Sequence, residues 1–60
     1  MSAEEFLKLH GQLPPIRFNG THYECTCWFH SVDVYGIDEN LDNLFAYISA
    51  EIIAGKKGDS

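Results

Sequence analysis

Basic residues are scarce in this chain: four Lys and Arg stand against nine Asp and Glu, a net charge of −5. Holding a nucleic acid requires clustered cations to neutralise phosphates. That scarcity argues against direct nucleic-acid binding, and equally against an anionic membrane surface. Long apolar runs are missing too; none approaches the roughly 18 residues of a membrane span. The N-terminus lacks a basic stretch followed by an apolar core, so no signal peptide is expected. The default expectation is a cytoplasmic protein with both cysteines reduced. There is no glycine-rich phosphate loop, no internal repeat and no low-complexity segment. No cofactor is expected.

Length is also in short supply. A 60-residue chain forms one domain and buries only about 60% of its unfolded surface. A core of that size rarely supplies more than about 3–5 kcal/mol. Small domains answer this with disulfides, metals, self-association or close packing.

What is present reads as α+β. Ser2 followed by Glu5 is a capping-box pattern, and Glu4 and Glu5 suit the positive end of a helix dipole. A short helix is expected over 2–9, with Ala3, Phe6, Leu7 and His10 on one face and Gly11 as the stop. Leu13-Pro14-Pro15 is extended. Asn19-Gly20 between two apolar-rich runs is a strong hairpin signal, because a type I′ turn needs φ > 0 at both positions. A two-residue loop there pairs Phe18 with Thr21, Arg17 with His22 and Ile16 with Tyr23. The first strand is expected from about Pro15 to Phe18.

This register puts Ile16, Phe18, Tyr23, Cys25, Cys27 and Phe29 on one face of the sheet. Arg17, His22, Glu24, Thr26, Trp28 and His30 fall on the other. The first set is mostly apolar and the second mostly polar, as a half-buried sheet requires. Beyond Phe29 the alternation changes phase, with Val32 and Val34 inward and Asp33 outward. Gly, Pro, Asn and Asp are absent from the junction at His30-Ser31. The expectation is therefore one long second strand, Thr21 to Tyr35, bent by a bulge. The alternative is a tight turn there, with Val32 to Tyr35 doubling back as a third strand.

Leu41, Leu44, Phe45, Ile48 and Ile52 form a stripe at helical spacing. Asp38 or Asn40 caps this second helix, Gly55 ends it, and residues 56–60 form a mobile tail. A long second strand leaves an unpaired apolar edge. Self-pairing into a homodimer around a two-fold axis would complete the sheet.

Four groups of side chains are candidates for function. Trp28 stands on the polar face among Arg17, His22, Glu24 and His30, an aromatic in a polar frame of the kind found at protein-binding hot spots. The competing arrangement lays the N-terminal helix over that face, with Phe6 packed on Trp28. Asp33, Asp38, Glu39 and Asp42 form an acidic set that would face a basic partner or imitate nucleic acid; solvated charge and helix capping are the better account of it. His22, Cys25, Cys27 and His30 offer soft ligands within nine residues. A strand, however, sends the cysteines and histidines to opposite faces and sets the two histidines roughly 26 Å apart. Buried thiols are the better reading, and no metal is expected. The fourth, Asp38-x-Asn40-x-Asp42, opens like a calcium loop, but Asn43 and Ser49 occupy the positions of the required glycine and glutamate. No triad spacing is present. The expectation is a non-enzymatic protein-interaction module, a regulator or inhibitor of a larger protein. A metal- or redox-responsive protein and an acidic nucleic-acid mimic are the alternatives.

Overall fold

The computed structural model describes residues 1–29 and 31–58, with 56–58 described by backbone alone. The elements in order are α1 (Ala3–His10), β1 (Arg17–Phe18), β2 (Tyr23–Phe29), β3 (Val32–Asp38) and α2 (Leu41–Gly58). The strands form one antiparallel sheet in the order β1-β2-β3. Both helices contribute to the core on one face of it.

The start of α1 follows its sequence signals. Ser2 Oγ accepts from the Glu5 N–H at 3.1 Å, and Glu5 Oε1 accepts from the Ser2 N–H at 3.4 Å, closing the capping box. Gly11 takes the left-handed conformation (φ 82°) and donates its N–H to the Leu7 carbonyl at 2.8 Å. A side chain there would strain the backbone, which is why glycine ends helices in this way. Phe6 is buried, Ala3 and His10 are half-buried, and Leu7 is exposed.

The first hairpin differs from its expected register by two residues. Arg17 pairs with Glu24 and Phe18 with Tyr23. The cause is Asn19, which closes the turn with its side chain rather than occupying its centre. Asn19 Oδ1 accepts from the N–H groups of Thr21 at 3.0 Å and His22 at 3.1 Å. Asparagine favours this local bond to backbone two residues on. Gly20 then carries the positive φ of 102°. A slip of two keeps the described residues of β1 and β2 in their expected alternation, because strands repeat every two residues, although Phe18, expected inward, is exposed at the sheet margin. β1 has two residues, shorter than expected. Pro14 and Pro15 precede it and have no N–H for a ladder.

The long bent strand is not formed. β3 doubles back along β2 through seven pairs, from Phe29↔Val32 to Tyr23↔Asp38. His30 lies outside the described residues. Ser31 adopts φ 65°, unusual for a residue with a Cβ and costing roughly 1–2 kcal/mol. Burial of Val34 beside Cys25, Phe29 and Ile48, with Val32 packed against that core, offsets this cost. The β2 edge expected to await another chain is filled by this chain's own β3.

β3 and α2 meet closely at two glycines. A Cβ on Gly36 would lie 2.8 Å from Leu44 Cδ1 and 3.1 Å from Tyr47 Cδ1; one on Gly55 would lie 2.7 Å from Val32 Cγ2. Gly55 therefore does not stop the helix, which runs on to Gly58; it lets the helix touch β3. The expected mobile tail is thus helical over 56–58, and Asp59 and Ser60 lie outside the described residues. Asn40 is the cap, with Oδ1 accepting from the N–H groups of Asp42 at 2.9 Å and Asn43 at 3.2 Å.

The core comprises Phe6, Cys25, Phe29, Val34, Leu44, Phe45, Ile48 and Ile52. Phe6 sits at its centre, with ring centroids 5.9 Å from Phe29 and 5.4 Å from Phe45. A polar link crosses it. His10 Nε2 and Ser49 Oγ lie 2.8 Å apart and tie α1 to α2.

Candidate binding surface

With both helices on one side, no helix among the described residues covers the other side of the sheet. The alternation of β2 and β3 decides what it displays. Cys25 and Phe29 turn inward and are buried, whereas Trp28 turns outward and is 72% exposed. Phe6 packs on Phe29 on the inner face, so the arrangement with α1 over Trp28 does not occur. Register then sets Glu24 beside Ile37, Thr26 beside Tyr35 and Trp28 beside Asp33. Tyr35 is 61% and Ile37 48% exposed. Arg17, opposite Glu24, extends this face onto β1.

Arg17 and Glu24 share the outer face with Trp28 but stand four residues along β2 from it, roughly 13 Å away, and His22 lies beyond them at the turn. His22 is held there by Asn19 Nδ2 at 2.9 Å and Thr21 Oγ1 at 3.1 Å, with Glu24 Oε2 at 3.8 Å. Tyr35 and Ile37 were missed by sequence reasoning. Their signal was present: continuing the inward phase of Val32 and Val34 by two residues turns Tyr35 and Ile37 outward.

The acidic set is divided. Asp33 stands on the bare sheet face beside Trp28. Asp38, Glu39 and Asp42 gather at the start of α2, where Asp38 Oδ1 accepts from the Asn40 N–H at 2.8 Å. A local turn bond to Asn40 accounts for Asp38, and the helix dipole suits Asp42.

The thiols of Cys25 and Cys27 are free and share the inner face with their sulfurs 3.6 Å apart. His22 lies at the turn, and His30 is outside the described residues. Among the described residues no group of three or more His, Cys, Asp or Glu is arranged to hold a metal. Burial, reinforced by Cys27 and then by the Glu51 charge, pushes the Cys25 thiol up from 9.0 to about 12. A thiol so placed stays protonated and unreactive.

Two hollows border the bare face. One, of about 240 Å³, lies where β1 leaves β2, between Pro15, Ile16, Arg17, Glu24 and Thr26. The other, of about 220 Å³, lies along the outer edge of β3, between Tyr35, Gly36, Ile37, Asp38 and Tyr47. Tyr47 is hydrogen-bonded to Glu51, which with the carboxylate's charge raises the phenol above its usual 10.0.

No helix among the described residues is long and apolar enough to cross a membrane. No protein family model matches the chain, and neither a curated protein nor a solved structure is significantly similar to it.

Proposed function

We propose that this chain is a small acidic, non-enzymatic protein-binding module that acts through the helix-free face of its sheet, as a regulator or inhibitor of a larger protein. The observation that carries the reading is Trp28, exposed on the same sheet face as Tyr35 and Ile37, a face that no helix among the described residues covers. Leaving three large apolar side chains of one sheet face in water forgoes the burial that a chain this short needs most. Tryptophan and tyrosine are the residues most enriched among binding hot spots, and Arg17, Glu24 and Asp33 supply a polar rim.

The test compares the native chain with Trp28→Ala and Trp28→Ala/Tyr35→Ala as baits in lysate of the source cell. Both variants keep the native unfolding midpoint, since neither side chain is in the core. A protein retained by the native chain and released by both variants supports the reading. Retention that survives both substitutions, or loss of folding in either, overturns it.

A further inference from the structure

β3 ends the sheet, and among the described residues no strand neighbours its outer edge. The direction of its backbone groups follows from one hydrogen bond: the Tyr35 N–H donates to Glu51 Oε2 of α2 at 3.4 Å, away from β2. Antiparallel ladders repeat every two residues, so the N–H and C=O groups of Asp33 and Ile37 point the same way. The Glu51 oxygen occupies the place where the carbonyl of an added strand would bond.

The surroundings of this edge indicate what would add to it. The hollow of about 220 Å³ beside residues 35–38 leaves room along the backbone. Two exposed aromatic rings, Tyr35 and Tyr47, flank it. Asp33, Asp38 and Glu51 lie along it, and β3 contains no Lys or Arg. Aromatic faces and carboxylates together favour lysine and arginine. A second copy of the chain is disfavoured: antiparallel pairing centred on Tyr35 would bring the two Glu51 carboxylates together, between chains each carrying −5.

We propose that the outer edge of β3 receives an extended, lysine- or arginine-bearing segment of a partner protein as a fourth strand. The proposal rests on the reading of the chain as a protein-binding module and names the segment it takes. Backbone bonds to Asp33, Tyr35 and Ile37 supply the register, with Glu51 swinging from the Tyr35 N–H onto an incoming cation. This is strand addition, a mode in which main-chain bonds give affinity and side-chain pockets give selectivity.

The test titrates the isotope-labelled chain with two short end-blocked peptides, one alternating lysine with valine and the other glutamate with valine, followed by amide NMR and hydrogen exchange. The lysine peptide is expected to shift and protect the Asp33 and Ile37 amides, with affinity falling as salt rises. The glutamate peptide is expected to leave them unchanged. Asp38→Asn/Glu51→Gln should weaken binding roughly threefold or more. Ile37→Pro removes an outward N–H and should abolish binding; the carboxamide pair, which leaves the backbone alone, covers the case in which the proline disturbs the strand. Equal binding of both peptides, or unmoved Asp33 and Ile37 amides at saturating lysine peptide, overturns the proposal. So does protection of these amides by self-association without peptide, which would assign the edge to a second copy. Trp28→Ala carried through the same titration separates the two readings: edge binding that persists while lysate capture fails the face test sinks the face alone, and the converse sinks the edge alone.

Discussion

Replacing Gly36 by alanine sets two physical effects against each other, and their signs differ. In an exposed strand the substitution stabilises by roughly 0.5–1 kcal/mol, because glycine loses more backbone freedom on folding. In this fold the new methyl would lie 2.8 Å from Leu44 Cδ1 and 3.1 Å from Tyr47 Cδ1. Tyr47 is 53% exposed and can swing aside, whereas Leu44 is fully buried and cannot. The Leu44 contact therefore decides the outcome. Forcing a methyl into a packed core costs about 1–3 kcal/mol. The net expectation is a loss of about 0.5–2 kcal/mol, a serious fraction of the roughly 3–5 kcal/mol available to so small a core. Each kcal/mol lowers the melting temperature by about 4–8 °C in a domain of this size. Urea unfolding followed by circular dichroism measures it directly, with the slope unchanged if only packing is affected. Leu44→Val removes the Cδ1 atom, so the alanine penalty should shrink in that background, a coupling of about 0.5 kcal/mol or more. A Gly36→Ala chain that unfolds at higher urea than the native protein would refute the close packing of α2 on β3. So would an equal penalty in both backgrounds.

Three further outcomes follow from the same geometry. Ser31 carries φ 65° in the turn between β2 and β3; Ser31→Gly relieves the strain and should raise stability by about 0.5–1 kcal/mol, read as a higher melting temperature. Ser49→Ala removes the 2.8 Å partner of His10 between the helices; a loss of about 1–2 kcal/mol is expected by urea unfolding, and an unchanged midpoint would deny that bond a stabilising role. Cys25 has its thiol raised from 9.0 to about 12 in the folded chain. Above pH 9 the unfolded chain releases a proton that the folded chain keeps, so the contribution of this group is full below that pH and declines as pH rises through 12. Cys25→Ser, compared with the native chain across alkaline pH, should flatten that part of the decline, and alkylation of native Cys25 should require unfolding.

Much of the fold was legible because it depends on local chemistry. Ser2, Glu5 and Gly11 bound α1 through bonds within a few residues of one another. The stripe from Leu41 to Ile52 has a single period that suits a helix. The facing of β2 survived a wrong register, since the slip at Asn19 was of two residues and the alternation repeats in two. For the same reason Trp28, Arg17 and Glu24 were assigned correctly to one face. The second turn was not legible. His30-Ser31 has no Gly, Pro, Asn or Asp to favour a reversal, and the turn exists because seven pairs of β3 on β2 and the burial of Val34 outweigh one strained residue.

Sequence alone therefore determined the class of fold, the two amphipathic faces and the outward direction of Trp28, all of which follow from backbone periodicity and short-range bonds. Tertiary structure decided that β3 folds back, that α1 lies beneath the sheet rather than over Trp28, and that Tyr35 and Ile37 join the exposed face. It also decided that Gly55 is a point of contact and not an end. Each of these depends on which surfaces separated by many residues come to touch, and local pattern carries no information about the partner a surface will find.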